Sequence, residues 1–449
     1  CPPIVDSPYK ITETPNKKLA LADAHFKHEK KVSKAKIHIL KRLKNMLPSS
    51  FGFVEGAGAF YGLSLIGQSF VPGLYFKIKH RNKRDYESFC EPQITYNTGK
   101  KDAQNIALEE KVAIVKSGFD LMGMETFAPL VLFVGHGSHT ANNPFGSSLD
   151  CGACAASPGR HNARLLASLA NDPSVRDTLK TSYNIDIPED TLFIGAEHNT
   201  TTDEIVLFDA FVPDSHIERL NILKSNLEKA QETATAERLN VSKGSIELAK
   251  KKSLNWGETR PEWGLAKNAA FIVGSRNLTS SMQLDGRCFM HSYNWKSDPE
   301  GKALEAIMGG PMVVTQWINN HYYFSTVDNN KFGGGSKITH NITGQFGVVQ
   351  GNGGDLKMGL PLQSLKASDT EMYHQPLRLT TIIHAPLNRV ETILRKNKHL
   401  QTLLDNEWMY LKVMDTSDSN QFKSYHKDFF WSSEHMNLKK INTPELSMC

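Results

Sequence analysis

An α/β fold with a doubly wound, mostly parallel sheet and helical insertions is predicted by three observations. The run Leu130–Val134 is continuously apolar, as in a strand covered on both faces, and it stops abruptly at Gly-His-Gly-Ser. Runs of this kind alternate along the chain with segments whose apolar residues recur at helical spacing, which is the signature of βαβ units. The chain has 449 residues, 39% hydrophobic and 22% charged, enough to bury one large core or two ordinary ones.

Residues 17–44 are strongly basic, with ten lysines and arginines against Asp23 and Glu29. Ile37, Leu40, Leu43 and Leu47 recur at three- to four-residue spacing and predict an amphipathic helix. Its basic side is either a solvated face or a surface for anionic lipid or a membrane partner. Phe51–Phe76 carries Glu55 as its only charge and is long enough to span a bilayer. Its glycines, with Gln68 and Pro72, favour a buried or partner-docked helix over a span. A basic cluster from Lys77 to Arg84 follows. Residues 1–104 therefore form a basic and Gly-rich apolar helical region, and residues 105–449 an α/β domain.

Within that domain a helix is expected over 105–124, then the strand at 130–134 and a helix from Asn162 through "NARLLASLANDPSVRDTL". "TLFIGAEHNTTTDEIVLFDAFV" reads as two strands around a polar turn. A charged helical excursion covers about 218–258. "AAFIVGSR", "GPMVVTQWINNHYYFSTVD" and "LRLTTIIHAP" read as further strand material. "KFGGGSK" and "GNGGDLKMG" are glycine-rich loops; the latter lacks the Gly-Lys-Ser/Thr of a nucleotide-binding loop. The net charge of +5 is mild, and no nucleic-acid module occurs.

Ligand sites in open α/β sheets form beyond the carboxyl ends of strands, where His136 falls. Fifteen residues on is Cys151, in Asp-Cys-Gly-Ala-Cys. Imidazole and thiolate together suit zinc, so His136 and Cys151 are the candidate metal ligands. The competing reading is a hydrogen-bonded structural histidine and a small packed cysteine. Asp150, Cys154 and His139 are neighbours in the chain. "EHNTTTDE" offers Glu197, His198, Asp203 and Glu204, and "LDGRCFMHSYN" offers Asp285, Arg287 and His291. Of these, Asp150, Cys154, His198, Asp203 and Arg287 are candidates for groups that orient the ligands; turn chemistry and surface pairing are the plainer account. Six cysteines in so long a chain do not form a disulfide framework, and Cys151-x-x-Cys154 suits a reducing, cytoplasmic setting.

"LVLFVGHGSHTANNPFGSSLDCGAC" followed by "GRHNARLLASLAND" resembles the DabA family, the soluble subunits of bacterial inorganic-carbon pumps. "RPEWGLAKNAAFIVGSR", "QFGVVQGNGGDLKMGLPLQS" and "HQPLRLTTIIHAP" extend the resemblance over about residues 48–412. It implies a fold like β-type carbonic anhydrase and zinc-dependent hydration of CO2 to bicarbonate. It also implies a DabB-type membrane subunit, similar to a complex I proton channel, and a peripheral place on the cytoplasmic side of the cell inner membrane. By the family pattern His136 and Cys151 are two of four zinc ligands. The other two come from a Cys-x-Asp-x-Arg element, which occurs nowhere in the 449 residues. The chain starts at Cys1, which fits a lipoprotein start, a cleaved propeptide or a partial chain. "CPPIV" resembles an interior family segment, which favours a partial chain whose missing amino-terminal part supplies the two ligands. Two alternatives stand beside this reading. One is a non-catalytic docking or scaffold subunit with an incomplete metal site. The other is a tetrapyrrole metal chelatase, since strand-then-Gly-His-Gly-Ser is similar to cobalt chelatases as well.

Overall fold

The computed structural model describes residues 9–15, 20–75, 78, 90–96, 106–139, 158–254, 265–334, 359–360 and 362–434. The chain divides into two compact units, Cys1–Lys267 with His321–Pro376, and Asn268–Asn320 with Leu377–Cys449.

In the first unit, β1 (Tyr9–Pro15) and β2 (Cys90–Tyr96) pair as an antiparallel ribbon. Between them run α1 (Ala20–Asn45) and α2 (Leu47–Phe70), so the predicted basic and apolar helices both form. Next come α3 (Leu108–Met122), β3 (Leu130–Gly137), α4 (Arg160–Ala170) and α5 (Pro173–Tyr183). The single helix expected from Asn162 is two. Pro173 cannot donate to the preceding turn, so the chain restarts there, with the Asp172 side chain capping the amide of Ser174. β4 (Leu192–Asn199) pairs parallel with β3, and β5 (Glu204–Leu207) returns antiparallel to β4. The charged excursion is α6 (Ile217–Leu239) and α7 (Ser245–Leu254). Val112, Val115 and Phe119 of α3 join Leu165, Leu169, Val175 and Leu179 over Phe133 and Phe193 in one buried cluster. The Phe133 and Phe193 rings, on neighbouring strands, stack with centroids 5.4 Å apart.

The second unit holds a six-stranded sheet. Its parallel part comprises β6 (Ala270–Val273), β7 (Cys288–His291), β8 (Thr380–Ala385) and β9 (Tyr410–Asp415). β10 (Gln421–His426) and β11 (Phe430–Glu434) add antiparallel at one edge, giving the order β11-β10-β9-β8-β6-β7. Leu304, Ile307 and Met308 from α8 (Lys302–Gly309) are buried with Phe271, Val273 and Ile383. Val390, Ile393 and Leu394 from a helix at Leu387–Lys396 complete that core.

The α/β class therefore holds, but not as one doubly wound sheet. The described strands form separate three- and six-stranded sheets and a ribbon, with antiparallel pairs in each. A second correction concerns "GPMVVTQWINNHYYFSTVD", which is helix α9 (Pro311–Val327) and not strand. Its β-branched and aromatic content favours strand. Its buried positions nevertheless follow helical spacing: Met312, Val313, Thr315, Gln316, Asn319, Tyr322 and Ser325. Four of these seven are polar, so a reading of apolar periodicity alone does not detect them. Pro311 at its head suits a helix start.

Candidate functional site

β3 and β4 run parallel and end together, so the residues that follow them share one edge of the sheet. The register pairs Gly135 with Glu197, His136 with His198, and Gly137 with Asn199. Side chains alternate along a strand, so the two imidazoles share one face and Glu197 and Asn199 the other.

On the Glu197 face packing requires glycine at the first position of Gly-His-Gly and crowds the second. A Cβ on Gly135 would lie 2.2 Å from the carbonyl carbon of Gly159, and one on Gly137 would lie 3.2 Å from the Glu197 carboxyl carbon. Gly195 is equally crowded, with its Cβ position 2.6 Å from Arg164 Cα. The start of α4 thus lies directly on the strand ends, and the Gly159 amide donates to the His136 carbonyl at 2.7 Å. That approach carries Arg160 to Glu197, where its Nη1 donates to Oε2 at 2.7 Å. The other carboxylate oxygen pairs with His139 Nε2. Burial pushes the Glu197 carboxyl up, but the His139 ring and the Arg160 guanidinium more than offset it and hold it below the usual carboxylate range. Asn199 Oδ1 accepts from the His139 amide at 3.3 Å and from Thr201 Oγ1 at 2.7 Å. The Thr200 amide donates to the Gly137 carbonyl at 2.9 Å. The Gly-His-Gly-Ser-His segment and the Thr-Thr-Thr turn are therefore fastened to each other.

On the imidazole face, His198 Nε2 lies 3.2 Å from Asp203 Oδ1. Asp203 takes a left-handed conformation, φ 54°, at the close of the turn. Arg238 of α6 donates from Nη2 to the same oxygen at 2.8 Å and from Nη1 to the Thr200 carbonyl at 3.1 Å. Gln231, two turns earlier on α6, donates to the Thr202 carbonyl at 2.9 Å. The Asp203 side chain is 5% exposed. Its Oδ2 is buried with no hydrogen-bond partner among the described residues. A carboxylate that holds one nitrogen of an imidazole fixes its tautomer and leaves Nδ1 for another task.

Of the residues singled out from sequence, His136, His198 and Asp203 come together at one strand edge. Arg287 belongs to the second unit, immediately before β7, where its carbonyl accepts from the Ala269 amide at 2.8 Å. Asp150, Cys151 and Cys154 lie outside the described residues. Among the described residues no three of His, Cys, Asp and Glu are grouped to hold a metal ion. Arg160 and Arg238, the two cations that neutralise the buried carboxylates, were not found from sequence. Nothing local marks an arginine on a surface-like helix as the partner of a carboxylate 35 or 37 positions away.

These features define an α/β protein with an ion-paired, imidazole-bearing edge at the ends of two parallel strands. Residues 1–409 match the family described as "Probable inorganic carbon transporter subunit DabA". A curated protein of that description from Haloarcula marismortui is 48% identical over 447 residues, covering 96% of this chain and 55% of the relative. One from Natronomonas pharaonis is 48% identical over 441 residues, covering 96% and 54%. One from Legionella pneumophila strain Corby is 41% identical over 446 residues, covering 96% and 57%. No solved structure matches. The chain belongs to the DabA family, and it spans about half the length of the curated relatives it matches.

Proposed function

We propose that this chain carries the imidazole and thiolate half of a zinc centre, His136 and Cys151, in a subunit of an inorganic-carbon transporter. The reaction is hydration of CO2 to bicarbonate, made one-way by a DabB-type proton-translocating membrane subunit. The fold around the centre is that of the β-type carbonic anhydrases. The protein sits at the cytoplasmic side of the cell inner membrane. The family match over residues 1–409 carries this reading.

The donor chemistry at the strand edge fits zinc in part. His136 offers an imidazole at the end of β3, beside His198 of β4, and its backbone is anchored through the Gly159 amide. Nitrogen with sulfur is the donor mix zinc favours in a four-coordinate shell. The family resemblance assigns the remaining two donors to a Cys-x-Asp-x-Arg element, which does not occur within these 449 residues. When bound, zinc supplies the Lewis acidity that makes hydroxide available near neutral pH. The chain's own residues then have distinct tasks. His198, gripped by Asp203 and Arg238, presents its remaining nitrogen on the His136 face and is placed to hold a proton there. Glu197, Arg160 and His139 brace the loop that follows His136 from the opposite face.

Metal analysis of the chain joined to a family segment bearing Cys-x-Asp-x-Arg tests the ligand assignment. About one zinc per chain is expected. His136→Ala and Cys151→Ala should each remove it. Full zinc retention by both variants refutes the assignment, and retained zinc without CO2 hydration leaves only a docking role.

A further inference from the structure

We infer that α1 and α2 form a bilayer-contact element selective for anionic lipid, with α1 on the headgroups and α2 entering the acyl boundary. The inference rests on the peripheral membrane placement proposed above, and not on the zinc chemistry. α2 is 24 residues long, about 36 Å at the usual helical rise. Its large apolar side chains are exposed along its length: Phe51 81%, Phe60 74%, Leu63 67% and Phe70 82%. A Cβ built on Gly52, Gly56, Gly58 or Gly62 would meet nothing within 4 Å, so among the described residues nothing packs on the helix at those four positions. A helix that is apolar on every side belongs in apolar surroundings. Yet among the described residues no helix is long and apolar enough to cross a membrane. Partial entry at the interface satisfies both facts.

The far end of α2 is tethered. Ser64 Oγ and Tyr75 Oη are 2.5 Å apart, and Gly73 approaches Leu254 of α7, whose Cδ1 lies 3.7 Å from the Gly73 Cβ position. The near end joins α1, and α1 supplies the charge. Over residues 31–45 it exposes Lys31, Lys34, Lys36, Lys41, Arg42 and Lys44 and contains no acid. Those six positive charges exceed the net charge of the whole chain, +5. Ile37, Leu40 and Leu43 are exposed beside them. Cations over apolar side chains are complementary to an anionic interface, where phosphate lies above acyl chains. An apolar protein groove would leave the cations without a counterpart.

Flotation of the full 449-residue chain with vesicles is the test. One set is phosphatidylcholine with phosphatidylglycerol, the other phosphatidylcholine alone. The chain should float with the anionic set only, less so as salt rises. The triple variant Lys31→Glu, Lys34→Glu, Lys41→Glu should lower the bound fraction at least about tenfold. Phe51→Ser with Phe60→Ser should remove the binding that survives high salt. Lys396→Glu, exposed in the second unit, should change nothing. All of these side chains are exposed, so the variants should keep the parent's circular dichroism spectrum. Equal flotation with both vesicle sets, or undiminished flotation of both α1 and α2 variants, overturns the inference. So does flotation only after a membrane subunit is reconstituted into the vesicles, which would make that subunit's helices the occupant. Zinc content after His136→Ala is independent of this result, so the two readings fail separately.

Discussion

Glu197 shows what a single buried charge does at this edge. It is 3% exposed, and its negative charge is retained because Arg160 and His139 reach it from a helix and a loop. Glu197→Gln should cost about 1–3 kcal/mol at neutral pH, since it removes charge-assisted bonds and leaves buried donors poorly matched. The pH dependence has a definite sign. The carboxyl is held below its ordinary value, so its contribution is complete above the unfolded-state pKa of about 4.3 and is lost as pH falls through the lower folded-state value. Urea unfolding of both proteins should therefore show a gap at pH 7 that closes in acid; a constant gap would mean the charge is not what matters. Sequence exposed half of this arrangement. "EHNTTTDE" marks the carboxylates and His198, because turn-forming and acidic residues cluster there. Arg160 and Arg238 are invisible to the same reading, since only helix packing assigns each arginine to its carboxylate.

At the scale of elements, close backbone approach between α4 and the ends of β3 and β4 shapes the edge. Gly135→Ala would place a methyl group against the Gly159 backbone, which cannot swing aside as a side chain would. Loss of at least about 3 kcal/mol is expected, seen as a fall in thermal midpoint together with weakened Arg160–Glu197 pairing. A neutral Gly135→Ala would show that the helix is free to withdraw. The sequence draws attention to Gly-His-Gly through its histidine, whereas its glycines serve the close approach of the α4 start on the opposite face. The α9 sequence reads as strand because Val313, Val314 and Ile318 are β-branched. The helix buries Gln316, Asn319 and Ser325 instead of an unbroken apolar stripe, and Asn319 Nδ2 donates to Asn268 Oδ1 at 2.8 Å and to the Leu377 carbonyl at 2.9 Å.

At the scale of the molecule, the mixture of helices and strands was readable and the division of the strands among sheets was not. β6 lies between β7, fifteen residues on, and β8, which begins more than a hundred residues after it. Strand neighbours that distant are chosen by packing and not by local pattern. Each unit has its own buried cluster. Leu304→Ala in the second unit removes a side chain that is 0% exposed and should cost about 2–5 kcal/mol. Trp295 and Trp431 pack against that cluster, so their fluorescence reports the transition. An unchanged midpoint would remove Leu304 from the core.

The pairing of β3 with β4 also makes the edge intolerant of changes in length. Parity decides which groups become neighbours, because a strand turns over with every residue. Inserting one residue early in β4 would bring Glu197 into the place of His198, and deleting one would bring Asn199 there, so either change removes the basic neighbour of His136 without altering any catalytic-looking letter. Homologues can therefore vary side chains along these two strands far more freely than they can vary the count of residues between Leu192 and Asn199.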